Sequence, residues 1–320
     1  GAEGGNGGFV ETSGGYLSVS RTPDLLAPNG TPGQWLIDPW DIVITATPAS
    51  PSIAVGFTPG SPGPPNTFPS SPVSATLDLS AVFAAFPCTS ATCVSYVDAQ
   101  QIIDALSNGY DVTISSSALG DTTNPGRGEV TVDSPLLISL LDPLQQVSPT
   151  LTLAASSAGT TGTGNIKLNS SVQFSGPGDF TLNLLAPGGI LVADGATIGG
   201  GGMTVNADNP TTSTSNDGAF VFGNGNGGIA LSGVINAGSF ALTPYTNLDI
   251  LPGSFVAFND PLGGVVPVGS TLTLGSGAFL GVSPALLITG VLDALPGSTL
   301  ASDSVNVGGS GSLGVASGVN

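Results

Sequence analysis

The second half of the chain, residues 148–320, is a succession of very short apolar runs separated by Gly, Asn, Asp, Ser and Pro. Representative runs begin at Leu151, Asn165, Ser171, Phe180, Gly202, Gly228, Phe240, Thr271 and Asp303. Alternation such as Thr271-Leu-Thr-Leu places successive side chains on opposite sides of a strand. Each run is too short to bury a hydrophobic surface alone, so the strands must stack on one another.

Similar runs recur at roughly 17 to 30 residues, which is the spacing of a repeat architecture. Glycine suits the corners between them, because it takes positive φ without a Cβ clash. A chain that turns after every short strand can coil, and each strand then pairs with its equivalent one coil later. The pattern predicts a parallel β-solenoid. The alternative is a β-sandwich or jelly roll, whose strands are usually longer, about 5–6 residues, and pair as hairpins.

The charge balance is strongly acidic, with 3 basic residues, 21 acidic residues, no His and a net charge of −18. Nucleic acids and anionic membrane surfaces require basic patches, so both are excluded as partners. Nearly all the acids are Asp, which favours corners because its side chain bonds nearby backbone. Divalent cation binding is the alternative role of these acids. We predict no cofactor and no metal site.

No stretch reaches the ~18 apolar residues of a membrane helix, and the richest, Pro284 to Leu295, is interrupted by polar residues. The sequence therefore predicts no membrane insertion. It contains no recognisable signal peptide. Because Gly1 begins inside repeat-like sequence, we expect the chain to be a piece of a longer protein.

Cys88 and Cys93 are the two cysteines, separated by Thr-Ser-Ala-Thr. The pair lacks the ligands of a structural zinc site, and its spacing is not that of the CxxC redox motif. A small loop-closing disulfide is predicted, which implies an oxidising location. Two reduced cysteines are the alternative.

Residues 1–45 predict three strands with Gly or Pro corners. The first element is Gly4-Gly-Asn-Gly-Gly-Phe-Val-Glu-Thr-Ser-Gly14, and a later one is Gly33-Gln-Trp-Leu-Ile-Asp-Pro-Trp-Asp-Ile-Val-Ile44. Asp38-Pro39 favours a turn, because the residue before proline is kept out of the helical region. Trp35 is expected to fill a corner, and Asp41 to bond turn amides.

These two elements resemble the filamentous-haemagglutinin-like exoproteins of bacteria, which are secreted by the two-partner route. The residues that carry the resemblance are Gly7, Gly8, Phe9, Val10, Glu11, Thr12, Trp35, Leu36, Asp38, Pro39 and Asp41. Weaker similarity extends over Asn108–Ile114 and Gly128–Val132, and Gly228–Gly238 looks like one family repeat. The resemblance implies a right-handed parallel β-helix on the bacterial surface, in adhesion or in surface filaments.

Residues 46–97 depart from that pattern, since 46–75 are rich in proline and stiff. This insertion is either a surface loop or an arm that reaches a neighbouring subunit. Residues 98–109 then predict a helix, with Asp98 as N-cap and Gln101 completing a capping box. Ile102, Ile103 and Leu106 form its apolar face, and Gly109 ends it. We expect this helix to lie against the flank of the solenoid or to cover its end.

The sequence offers little for catalysis. Without His, a Ser-His-Asp triad is impossible, and Lys167 stands alone in a plain strand context. Gly199–Gly202 lacks the Lys and the Ser or Thr of a phosphate-binding loop. A β-helix polysaccharide lyase or hydrolase is the enzymatic alternative, with Asp179, Asp194, Asp208 and Asp217 as candidate acids along one flank.

The sequence thus predicts an all-β protein, a right-handed parallel β-helix with one short helix and a Pro-rich insertion. Its single elongated domain comprises first rungs in 1–45, the insertion with the Cys pair in 46–97, a flanking helix in 98–109 and continuing β-helix in 110–320. We expect a non-enzymatic, extracellular structural protein of the bacterial cell surface. Its copies would stack end to end, since neither terminus carries an obvious cap. A discrete rod that binds host or matrix glycans is the alternative.

Overall fold

The chain folds into one helix and many short strands in a computed structural model that describes residues 4–14, 17–27, 29–46, 94–116, 128–140, 148–156, 164–212, 216–223, 227–259 and 263–315. The helix is α1 (Ala99–Ser107). The strands are β1 (Phe9–Ser13), β2 (Ser18–Val19), β3 (Gln34–Asp38), β4 (Asp41–Thr45), β5 (Val94–Asp98), β6 (Asp111–Ser115), β7 (Val130–Val132), β8 (Leu136–Ser139), β9 (Thr150–Ala154), β10 (Asn165–Leu168), β11 (Val172–Ser175), β12 (Phe180–Leu185), β13 (Gly189–Val192), β14 (Thr197–Gly200), β15 (Met203–Asp208), β16 (Ala219–Phe222), β17 (Gly228–Leu231), β18 (Val234–Ala237), β19 (Ser239–Leu242), β20 (Asn247–Ile250), β21 (Phe255–Phe258), β22 (Gly264–Val266), β23 (Thr271–Leu274), β24 (Phe279–Ile288), β25 (Val291–Ala294), β26 (Thr299–Val307) and β27 (Ser312–Val315).

The strands stack in three columns, and every strand pairing in the described residues is parallel. Column 1 contains β1, β3, β6, β9, β12, β15, β18, β21 and the first halves of β24 and β26. Column 2 contains β2, β5, β4, β7, β10, β13, β16, β19, β22 and the second halves of β24 and β26. Column 3 contains β8, β11, β14, β17, β20, β23, β25 and β27. The solenoid-like parallel architecture is confirmed, and the antiparallel sandwich is excluded.

Coil length falls within the predicted range of roughly 17 to 30 residues in the later coils and exceeds it in several of the earlier ones. In column 1, Phe279 pairs with Thr299, a coil of 20 residues, and Thr150 pairs with Thr181, a coil of 31 residues. The variation lies in the connecting loops, because the paired segments remain in register from coil to coil. Stacking, rather than a fixed repeat length, therefore sets the architecture.

Alternate side chains of each coil point into the interior, as the pattern predicts. β9 and β23 bury their leucines and leave their threonines partly exposed. The inward side chains of the three columns form one hydrophobic core, and burial of each large apolar side chain contributes about 1.5–3 kcal/mol. On the outward side of column 1, Asn206 Nδ2 donates to Asn183 Oδ1 and Asn236 Nδ2 to Asn206 Oδ1, both at 3.2 Å. This ladder ties successive coils along the axis.

Column 2 departs from chain order near its beginning. β5 lies between β2 and β4, since Val19 pairs with Val97 and Ile44 also pairs with Val97 from the opposite side. The boundary expected at residue 97 therefore falls inside a strand of the stack. Most of the predicted insertion, residues 47–93, lies outside the described residues, as does any arm that it forms.

α1 follows β5 directly and packs against β8, so it takes the place of column 3 in the first coils. A helix with its side chains is about 10–12 Å thick, which matches about two strand spacings of ~4.8 Å. Ile102 and Leu106 are buried in the common core, and Ile103 packs against it. The helix thereby covers the otherwise open edge of β8, as expected for a helix that covers an end.

The N-terminus of α1 is capped by Asp98, whose Oδ1 accepts a hydrogen bond from the backbone N–H of Gln100 at 2.9 Å. The predicted reciprocal bond from Gln101 is replaced by a tertiary contact. Gln101 Oε1 instead accepts from the backbone N–H of Thr22 at 2.7 Å. Gly109, with φ of 82°, ends the helix as predicted.

Asp98→Ala is expected to destabilise the protein by about 1 kcal/mol, because the cap is lost. Asp98→Asn is the control, since its side-chain oxygen can still accept the bond. The thermal unfolding midpoints of both variants measure the difference. Equal midpoints for the two variants would show that the cap contributes nothing here.

Candidate assembly surfaces and the predicted site residues

The glycine-rich element at residues 4–14, which carries part of the family resemblance, packs its backbone against the backbone of the next coil. The Gly7 N–H donates to Thr31 O at 2.7 Å. A Cβ at Gly7 would lie 2.2 Å from Gly33 N, and one at Gly33 would lie 2.3 Å from Gly8 O. Side chains at Gly7 and Gly33 would therefore separate the first two coils.

β1 and β3 align the two elements residue by residue. Val10 pairs with Trp35 and Glu11 with Leu36, while Phe9 is exposed on the outer side. Trp35 is buried in the core, and its Nε1 donates to Thr12 Oγ1 at 3.1 Å. The indole thus links two coils.

Asp38 ends β3, and Pro39 occupies the short turn to β4. Asp41 begins β4 and is buried. Its Oδ1 accepts a hydrogen bond from the backbone N–H of Glu129 at 3.0 Å, which belongs to the next coil of column 2 rather than to the turn. This bond of Asp41 therefore links two coils.

Cys88 and Cys93, the predicted disulfide, lie outside the described residues. The candidate acids do not share one corner. Asp179 precedes β12 and Asp194 follows β13, whereas Asp208 and Asp217 border the loop between β15 and β16. Within the described part of the chain, no group of three or more His, Cys, Asp or Glu side chains could hold a metal ion.

The last described coil presents its inward side chains to solvent. β26 and β27 pair with β24 and β25 on one side. Val307 and Val315 are register partners of the buried Ile288 and Ala294, yet they are 48% and 58% exposed. Leu313 is exposed in the same way. We call this surface, Thr299–Val307 with Ser312–Val315, the C-terminal edge.

The first coil is different. β1 pairs with β3 and β2 with β5, and among the described strands neither has a partner on its other side. Column 3 is covered there, because Thr22 bonds Gln101 of α1 and the Leu25 N–H donates to Tyr110 Oη at 3.2 Å. The third side of the first coil is therefore formed by the segment 21–26 rather than by a strand.

We call β1, β2 and the segment 21–26 the N-terminal edge. It offers two strand edges, and the C-terminal edge offers three. No helix within the described ranges is long and apolar enough to cross a membrane.

No protein-family model, curated protein or solved structure matches this chain. The resemblance to filamentous-haemagglutinin-like exoproteins therefore rests on the residues of β1 and β3 and their flanking glycines and Asp-Pro turn.

Proposed function

We propose that this chain is a non-enzymatic, extracellular structural protein of a bacterial surface filament or adhesin, whose copies stack head to tail. The observation that carries the proposal is the parallel pairing of successive coils, which a coil of a second copy can continue. An unpaired strand edge is a template for another strand, and burying Val305, Val307 and Leu313 under a further coil would be favourable.

The occupant that we propose for the C-terminal edge is the N-terminal edge of a second copy. β1 and β2 would extend columns 1 and 2, and Val10 and Val19 would continue the inward rows. Two different surfaces then meet, and such a heterologous contact generates an open filament when it does not close into a ring. The direction of the chain in all columns is preserved across the contact.

The bacterial surface location follows from the resemblance at β1 and β3, and we extend it to a right-handed coil. A right-handed twist of the strands favours right-handed crossovers between parallel strands. An adhesin that remains a discrete rod is the second form of this proposal, and polysaccharide cleavage is the enzymatic alternative.

The experiment is to measure the length distribution of the purified chain by negative-stain electron microscopy, together with its mass by light scattering. The parent chain is expected to form polymers. Val307→Lys places a charge among the inward side chains of the C-terminal edge, so it is expected to leave single rods. Asn306→Lys is the matched control, because Asn306 is exposed in the same strand but points outward, and it should still polymerise.

Single rods from the parent chain would contradict head-to-tail stacking and support the discrete rod. Polymers that persist in Val307→Lys as in Asn306→Lys would show that another surface drives assembly. Release of reducing sugar from a polysaccharide would instead support the enzymatic alternative.

A further inference from the structure

A groove of about 450 Å³ lies on the flank of the stack, and β24 separates its last strand, β21, from the C-terminal edge. It follows the corner where column 3 passes into column 1, across the starts of β12, β15, β18 and β21. Its lining includes Asp179, Gly201, Thr204, Gly253, Ser254 and Phe255. The volume falls in the range of small-molecule sites, about 300–1,000 Å³.

The groove exists because the corners lack side chains. A Cβ added at Gly201 or at Gly253 would meet no atom within 4 Å. Gly253 has φ of 73°, so the turn itself favours glycine there. These glycines leave open space above backbone that remains able to hydrogen-bond a ligand.

Phe255 forms an aromatic wall of the groove. It is 43% exposed, although it begins a strand of column 1. Its ring stacks on Phe279 of the next coil, with centroids 4.5 Å apart and an angle of 3° between the planes. Phe279 thus covers one face and fixes the ring, and Val234 of the preceding coil shares the groove side.

Hydroxyl and carboxylate groups complete the lining. The Asp179 carboxylate lies beside Gly202, with Oδ1 3.7 Å from the position of a Cβ there. Thr204 and Ser232 add hydroxyl groups. Ser254 is 3% exposed, and its Oγ is buried without a hydrogen-bond partner. Because this oxygen has no access to solvent, a ligand in the groove would instead meet the hydroxyl groups of Thr204 and Ser232 and the Asp179 carboxylate.

Charge restricts the ligand further. Neither Arg21 nor Lys167, the basic residues among those described, lines the groove, and the net charge of the chain is −18. Anionic ligands are therefore disfavoured. What remains is an uncharged molecule with an apolar face for Phe255 and many hydroxyl groups for Asp179, Thr204 and Ser232, each of which can accept a hydrogen bond.

We propose that this groove binds an uncharged oligosaccharide, with one sugar ring stacked on Phe255 and its hydroxyl groups bonded to Asp179 and the corner backbone. The site is independent of the two edges, so it serves a filament and a discrete rod equally. Binding along the flank would leave the ends free for stacking.

The test is calorimetric titration of the intact chain with three uncharged probes, cellohexaose, maltohexaose and mannohexaose, and with hexagalacturonate as the acidic probe. At least one uncharged probe is expected to bind more tightly than hexagalacturonate. Phe255→Ala should weaken that binding about tenfold, the upper end of what one aromatic contact contributes. Gly201→Gln should abolish it, because its side chain fills the groove.

Two matched variants serve as controls. Phe9 occupies the same outward row of column 1 as Phe255 and is also exposed, so Phe9→Ala should leave binding unchanged. Gly228, like Gly201, has no atom within 4 Å of an added Cβ, so Gly228→Gln should also have no effect. The proposal is overturned if no uncharged probe binds, if hexagalacturonate binds as tightly, or if Gly201→Gln binds like the parent chain. Because polymer formation is measured separately on Val307→Lys, failure here leaves the stacking proposal intact.

Discussion

Replacing Phe222 by alanine is expected to lower the free energy of unfolding of the central coils by about 3–5 kcal/mol. Phe222 lies in β16 and is fully buried. Its ring stacks on Phe220, with centroids 5.1 Å apart and planes within 6°, and it faces Phe240 at 6.5 Å. Removing it leaves a cavity between coils whose backbone is fixed by the strand pairing above and below.

The loss of stability in Phe222→Ala should be confined to the coils around β16. A stack in which each coil contacts its neighbours behaves as a one-dimensional array, so a weakened coil opens with its neighbours. Hydrogen exchange followed by mass spectrometry should show faster exchange in β13, β16 and β19 than in β9 or β23. The unfolding midpoint in urea measures the size of the effect.

Val221→Ala is the control for this prediction. Val221 is the neighbour of Phe222 in the same strand, but it faces outward and is 36% exposed. Its replacement should change stability by about 0.5 kcal/mol or less. If both variants were equally unstable, the alternation of inward and outward side chains in β16 would be wrong.

That alternation is the part of the fold that the sequence could predict. Runs such as Thr150–Ala154 and Thr271–Leu274 carry their own inward and outward pattern, and short length forces them to stack. Local chemistry also predicted α1, because Asp98, Leu106 and Gly109 act within one helix. These features depend on neighbours in sequence.

The pairing order could not be predicted in the same way. Asp41–Thr45 and Val94–Asp98 have equivalent alternation, so nothing local indicates that β5 lies between β2 and β4. Gln101 illustrates the same limit, because its position fits a capping box while its partner, Thr22, is 79 residues away. Asp41 likewise bonds Glu129, 88 residues away.

The groove could not be predicted from the sequence for a related reason. Glycine at 201 and at 253 indicated corners, but the absence of atoms near an added Cβ depends on how three coils superpose. The Phe255–Phe279 stack could have been suspected, because both residues begin column 1 strands. The exposure of the Phe255 ring and the lack of a hydrogen-bond partner for Ser254 Oγ depend on tertiary packing, which the sequence does not reveal.

Gly199→Ala is expected to be among the most destabilising single substitutions in the chain. A Cβ at Gly199 would lie 1.9 Å from Ser232 O, in the coil above, and one at Gly200 would lie 2.0 Å from Phe174 O, in the coil below. Gly199 also has φ of 133°, which L side chains rarely adopt. Strain contributes about 1–3 kcal/mol, and overpacking contributes about 1–3 kcal/mol more.

Gly201→Ala isolates this cause, since Gly201 is two residues away with no atom within 4 Å of an added Cβ. Its unfolding midpoint should equal that of the parent chain, while that of Gly199→Ala should fall sharply. An equal fall in both would mean that the loss comes from chain flexibility rather than from contact between coils. The atom that obstructs a Cβ at Gly199, Ser232 O, belongs to the backbone and cannot rotate away. A methyl group at residue 199 must therefore separate β14 from β17, where Ile198 pairs with Leu231.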